Sequence, residues 1–263
     1  MSARRDVLLE ARNLRFSYTP VKPVICGASL ALRRGEMGAM IGPNGCGKST
    51  MIRLLAGLVA PSAGEIAYEG APLASIGPRV LAKKIAYVPQ STARTFPFTA
   101  LEVVLTGRTP YIPRFEFESN RDVERAWEAL ETVSISHLAN RRVTELSGGE
   151  RQLVSVARAL AQEPACLLLD EPSASLDLKH RAGLMRTLFD LRNRTGLTAL
   201  MVTHDLSLLD PGFDVIFAMR CGTVAAQGAP SGVLHNSVLA EIYDDRHIRT
   251  HRVEGRTFVW SEV

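Results

Sequence analysis

The chain has 263 residues, 22% of them charged and 46% hydrophobic, the balance of a globular protein able to bury a sizeable core. Lys+Arg 31 against Asp+Glu 27 leaves a net charge of +4, compatible with nucleic acid, an anionic membrane surface or simply a solvated face, the last favoured because no dense basic block appears. The longest apolar runs, such as Cys166-Leu167-Leu168-Leu169, are too short to span a bilayer, and the scattered Cys26, Cys46, Cys166 and Cys221 form no C-x-x-C pair, so free thiols in a reducing compartment are expected.

The start Met1-Ser2-Ala3-Arg4-Arg5-Asp6 is charged and no apolar stretch follows it, so no secretory signal is expected and the reading is cytoplasmic. Apolar, β-prone stretches at 7–16, 37–41, 85–88, 166–169, 198–202 and 215–219 alternate with helical patterns. Strands separated by helices predict an α/β fold with a mainly parallel sheet. The Gly/Pro-rich stretches at 60–64 and 70–72 predict turns between short strands, as in an antiparallel β flank.

Between the second apolar stretch and the helix after it lies Gly42-Pro43-Asn44-Gly45-Cys46-Gly47-Lys48-Ser49-Thr50. This matches G-x-x-x-x-G-K-[ST] in the strand–loop–helix setting that the pattern requires. Its glycines let backbone N–H groups turn inward around a β-phosphate, and the helix opening near Gly47 adds its positive dipole end. Lys48 is suited to neutralising β- and γ-phosphates, and Ser49 offers a hydroxyl to Mg2+.

The middle of the chain changes character. Thr99-Ala100-Leu101-Glu102 has a capping-box pattern, and Ser119-Asn120-Arg121-Asp122 opens a second helix with Val123, Ala126, Trp127, Leu130 and Val133 on one face. With no strand between them, residues 91–162 read as a helical insertion. Within it, Leu146-Ser147-Gly148-Gly149-Glu150-Arg151-Gln152 forms another capping box, Ser147 to Glu150, ahead of the apolar stripe Leu153, Val154, Val156, Ala157, Leu160 and Ala161. A Ser and two glycines at a helix N-terminus also make a bare anion site. The chain's own phosphate loop already serves one nucleotide, so this second site is available to another subunit's.

Farther on, Ala165-Cys166-Leu167-Leu168-Leu169-Asp170-Glu171-Pro172 is an apolar strand ending in two carboxylates. Neighbours on a strand face opposite ways, so different tasks are expected: Asp170 for the Mg2+ shell and Glu171 as the general base that polarises water. Ser173-Ala174-Ser175-Leu176-Asp177 follows, with Asp177 suited to cap a helix whose face reads Leu178, Ala182, Met185 and Leu188/Phe189. His204 follows the apolar stretch at 198–203. The remaining histidines form no ligand cluster, and His247 and His251 read as solvated surface.

Taken together, LSGGERQ, the phosphate loop and the strand ending in Asp-Glu-Pro resemble the ATP-binding cassette (ABC) family, over about residues 7–227. The resemblance implies a P-loop NTPase core (1–90 and 163–243) with an antiparallel β flank, an inserted α-helical subdomain (91–162) and a tail with short strands (244–263). It also implies roles. Tyr18 stacks on adenine, and Gln90 reaches Mg2+ and hinges the helical insertion. His204 senses the γ-phosphate, while Ser175, Leu176 and Asp177 form the D-loop linking two ATP sites. Ser147, Gly148, Gly149 and Glu150 close over ATP held by a second copy, so a head-to-tail homodimer is implied.

One cassette, no apparent membrane span, no room for a long coiled coil and no appended regulatory domain match the separate ATPase subunit of a bacterial importer. Such a subunit sits peripherally on the cytoplasmic membrane face, works with integral membrane permease subunits and, indirectly, a substrate-binding protein, and needs no nucleic acid. Leu105-Thr106-Gly107-Arg108-Thr109-Pro110-Tyr111 and Leu176-Asp177-Leu178-Lys179-His180-Arg181 resemble the iron-siderophore, haem and cobalamin importers, although Arg181 stands where Gln is commoner. Zinc or manganese importers are the nearest alternative, and a soluble cassette acting on nucleic acid or ribosomes is a more distant one. Phe96, Phe98, Tyr111, Phe115 and Phe117 either receive the permease's coupling helix or pack the subdomain core.

Overall fold

The structure is a computed structural model that describes residues 6–90, 97–206, 209, 212–254 and 256–262. The chain forms β1 (Val7–Thr19), β2 (Lys22–Arg33), β3 (Met37–Ile41), α1 (Lys48–Leu55), β4 (Ala63–Tyr68), β5 (Ala71–Pro72), α2 (Pro78–Ala82) and β6 (Ile85–Val88). Then follow α3 (Ala100–Leu105), α4 (Asn120–Thr132), α5 (Gly148–Ala161), β7 (Cys166–Asp170), α6 (Leu178–Thr195) and β8 (Thr198–Val202). Last come β9 (Val215–Arg220), β10 (Thr223–Gly228), α7 (Pro230–Val233), α8 (Asn236–Tyr243), β11 (Ile248–Val253) and β12 (Arg256–Ser261). They gather into two compact units, Met1–Ile76 with Thr198–Val263, and Gly77–Leu197.

In the first unit β3 lies between β8 and β9 and runs parallel to both, with Gly38 opposite Leu200 and Ala39 opposite Ile216. Every residue of β3 is buried, which is why it reads as an unbroken apolar run rather than an alternating one. β10 turns back antiparallel on β9. The long β1 pairs antiparallel with β2 on one edge and β4 on the other, and buries Leu9, Ala11 and Leu14.

The flank holds most of what the sequence pattern left out. β2 has buried Ala28, Leu30 and Leu32 in strict alternation with exposed neighbours, but the preceding buried residue is Ile25, one step out of phase. Gly27, at φ 98, inserts the extra residue that shifts the phase and hides the strand from a simple period-two reading. β4 takes in Ala63 and Gly64, which the Gly/Pro pattern assigned to a turn.

The second unit is built on β6 parallel to β7, with Ile85 opposite Cys166 and Val88 opposite Leu169. All of β7 is buried. Helices α3, α4 and α5 pack on one another, and each opens with a complete capping box: Thr99–Glu102, Ser119–Asp122 and Ser147–Glu150. The face expected for α6 starts too early. Leu178 is the first helical residue, lies outside the packed turns and is 80% exposed, while Leu184, Met185 and Leu188 carry the burial. No helix among the described residues is long and apolar enough to cross a membrane.

Candidate functional site

In the first unit, the loop from Gly42 to Gly47 joins β3 to α1. A Cβ on Gly42, at φ 142, would lie 2.2 Å from the Met219 carbonyl oxygen, so the loop leaves β3 pressed against the end of β9 in a conformation only glycine tolerates. Gly45 has nothing within 4 Å of its Cβ direction, so the loop is open there. Lys48 is buried, and its Nζ donates to the carbonyls of Gly42 at 2.8 Å and Pro43 at 2.9 Å. An ammonium group drawn back along its own loop stands among the amides that would surround a phosphate. Burial pushes the Cys46 thiol up, with Lys48 opposing the shift, so Cys46 fills space as a neutral thiol.

Tyr18, near the end of β1, reaches the first turn of α1. Its hydroxyl is 3.4 Å from the Thr50 Oγ1, its ring meets Phe16 edge-on at 4.8 Å, and the residue is 55% exposed. An exposed ring anchored through its hydroxyl is free to take a planar base on one face. Ser49 is half-buried in the first turn of α1. His204 is exposed just beyond β8, where the Thr203 hydroxyl accepts from the Asp205 N–H at 3.0 Å and shapes the turn.

In the second unit, the strand-end carboxylates separate, though not by the alternation that the sequence suggested. Asp170 ends β7, is fully buried, and accepts from the Tyr87 hydroxyl at 3.3 Å. Glu171 is already off the strand, in the left-handed region at φ 49, and this turn of the backbone sends the two side chains different ways. The Gln90 Nε2 donates to the Glu171 Oε2 at 2.9 Å, so the amide after β6 holds the carboxylate after β7.

The start of α5 is equally defined. The Glu150 N–H donates to the Ser147 Oγ at 3.2 Å, and the Ser147 N–H donates to the Glu150 Oε2 at 2.7 Å. That backbone bond, with the Ser147 hydroxyl, holds the Glu150 carboxyl below its usual range. The amides of Gly148 and Gly149 belong to the first turn, which has no intrahelical acceptor for them. A Cβ on Gly149 would be 3.1 Å from the Ser175 carbonyl oxygen, so glycine lets Ser175 and Leu176 press against the helix tip. Asp177 caps α6 by accepting from the His180 N–H at 2.8 Å, which lowers its carboxyl pKa.

Two residues hold the site in ways that the sequence pattern did not assign. The Gln152 Nε2 donates to the Pro89 carbonyl at 3.1 Å and ties the end of LSGGERQ to the segment carrying Gln90; Tyr87 steadies Asp170. The apolar strand 85–88 hid Tyr87, and the last letter of the heptapeptide was the available signal for Gln152.

The aromatic stretch divides. Tyr111 is half-buried, donates to the Gln162 carbonyl at 3.0 Å and has the Arg108 guanidinium carbon 3.9 Å from its ring centroid. Arg108 is buried, bonded to Asp122 at 3.1 Å and to Glu163 and the Ala161 carbonyl at 2.7 Å each. Phe98, Phe115 and Phe117 are exposed, and Phe96 lies outside the described residues. His247 and His251 are exposed, as expected.

The model of the ABC transporter family matches residues 25–174. The chain is 38% identical over 262 residues to the hemin import ATP-binding protein of Nocardia farcinica, covering 98% of this chain and 90% of that one. It is also 38% identical over 243 residues to the phosphonates import ATP-binding protein of Chromohalobacter salexigens, covering 90% and 89%. Among solved structures, an inward-facing ABC transporter of metal-chelate type superimposes with a TM-score of 0.83 at 28% identity, covering 98% of both chains. The family match over more than half of the chain, joined to the phosphate loop, the capped LSGGERQ helix and the carboxylates at the end of β7, makes this chain a member of the ABC transporter family, one of its ATP-hydrolysing cassettes.

Proposed function

We propose that the chain is the ATPase subunit of an importer, dimerising head-to-tail around two ATP and driving integral membrane permease subunits from the membrane surface. The observation that carries the chemistry is the 2.9 Å bond from Gln90 to Glu171. A neutral amide orients this carboxylate and leaves its charge for a water proton. In this reading Tyr18 stacks on adenine and Gly42 to Thr50 cradle the phosphates. Lys48 neutralises charge at the γ-phosphate, and His204 reports on that phosphate. Ser147, Gly148, Gly149 and Glu150 serve ATP held by the second copy, and Ser175, Leu176 and Asp177 link the two sites.

Each of Ser49, Gln90 and Asp170 would offer Mg2+ an oxygen of the kind that ion takes, from a hydroxyl, an amide and a carboxylate in turn. The ion, bound with ATP, would neutralise phosphate charge. The core of 1–90 and 163–243, the helical part 91–162 and the tail 244–263 are the working divisions of this reading.

Haem or a siderophore-bound iron, delivered through a substrate-binding protein, is the cargo class favoured by the relative that imports hemin and by the metal-chelate type transporter. The phosphonate relative matches at the same identity and supplies the second reading. The decisive variant is Glu171→Gln, expected to bind ATP, lose turnover by about 10²–10³ and elute as a dimer with ATP but not ADP. Turnover at the wild-type rate would overturn the reading. Host growth on haem as sole iron source, restored by the wild type but not by this variant, tests the cargo; a defect confined to growth on phosphonate would replace it.

A further inference from the structure

Three of the four cysteines meet at one turn beside the phosphate loop. Cys221 and Gly222 form the two-residue turn between β9 and β10, where Arg220 pairs with Thr223. Both have positive φ, 48 for Cys221 and 78 for Gly222, the hairpin turn that normally takes Asn, Asp or Gly at its first central position. Cysteine is out of place in that conformation, and strained residues persist where something other than local comfort holds them.

The turn rests on β2. The Cys26 N–H donates to the Gly222 carbonyl at 2.8 Å, and a Cβ built on Gly222 would lie 3.1 Å from the Cys26 Sγ. Cys26 and Cys221 are both exposed free thiols. The same turn reaches the loop, because the Gly222 N–H donates to the Cys46 carbonyl at 3.0 Å. Cys46 itself is buried and stays out of thiol exchange.

We propose that Cys26 and Cys221 are an oxidation site, closing to a reversible disulfide that weakens nucleotide binding at the neighbouring phosphate loop. The oxidant is a hydroperoxide. One thiolate attacks its O–O bond to give a sulfenic acid and release water or alcohol. The second thiolate then displaces hydroxide from that sulfur, which leaves as a second water once protonated, so two thiols lose two electrons and two protons. The Cys26 Sγ now stands over Gly222, one residue beyond Cys221. Joining the sulfurs therefore draws the turn along β2, and the Gly222 bond to Cys46 is the contact that gives way. A thiol reductant reverses the linkage.

The effect on binding rests on the phosphate-loop reading, whereas the linkage does not, and the experiment separates them. The full chain is treated with hydrogen peroxide, mapped by non-reducing peptide mass spectrometry, and titrated with a fluorescent ATP analogue before and after dithiothreitol. A Cys26–Cys221 peptide, a fivefold or greater loss of affinity and its recovery on reduction are expected. Cys26→Ser and Cys221→Ser should bind the analogue like the reduced wild type and resist peroxide. Linkage through Cys46, no linkage, or linkage with unchanged affinity would each overturn the proposal. Failure of the reduced protein to bind the analogue would instead overturn the phosphate-loop reading, and with it the proposed consequence for binding.

Discussion

Gly42 concentrates in one residue what the phosphate loop demands. Its φ of 142 is closed to other side chains, and any Cβ there runs into the Met219 carbonyl. Gly42→Ala is therefore expected to cost about 1–3 kcal/mol in backbone strain and to abolish ATP binding by displacing the loop rather than by removing a contact. Thermal unfolding with nucleotide titration checks this, and normal binding would mean that the loop can re-form around a methyl group. Lys48 tells a complementary story. Its Nζ holds two carbonyls of its own loop, so in the proposed function a nucleotide would compete with Gly42 and Pro43 for the ammonium. The loop between β3 and α1 was legible in the sequence because the glycine and lysine spacing has few other uses. The conformation of Glu171 was not, because a left-handed glutamate leaves no mark in a string of letters.

Among the elements, the helices of the second unit were the most readable and the strands of the β flank the least. Thr99, Ser119 and Ser147 each announce a helix with an acidic residue three places on; the boxes expected at Thr99 and Ser147 close, and Ser119, expected only to open a helix, closes one with Asp122 as well. β2 escaped because Gly27 shifts its phase, and Leu178 was misjudged because a helix's first residue projects beyond the packed turns. The caps also give the fold a pH dependence. The carboxyls of Glu102, Asp122, Glu150 and Asp177 are all held below their usual range, the first three chiefly by the capping Ser or Thr and Asp177 by the His180 N–H. Their stabilisation is complete above the unfolded pKa, about 4, and is lost as pH falls through the lower folded values. The melting temperature should stay level from neutrality down to about pH 5 and then drop. In Glu150→Gln, which keeps the cap but cannot titrate, the drop should be shallower; an identical slope would remove Glu150 from the effect.

For the molecule as a whole, the tip of α5 and the Ser175–Leu176 turn are packed as one piece by Gly149. In the proposed dimer that piece faces a nucleotide bound elsewhere, so hydrolysis belongs to the pair and not to the chain. At saturating ATP, phosphate release per chain should climb with protein concentration until dimers are saturated, while the ATP bound per chain stays constant. A rate per chain that is flat across a wide dilution series would show that each copy completes its own site.

The left-handed Glu171 carries a consequence of another kind. Most side chains cost about 1–2 kcal/mol in that region, which Glu171 occupies, whereas asparagine visits it more readily because its short polar side chain bonds the local backbone. Glu171→Asn should then be inactive yet melt at a higher temperature than the wild type. Function and stability pull in opposite directions at this one position, so selection for durability alone would erase the carboxylate. A cassette released from turnover would be free to drift there, growing sturdier as it lost its chemistry.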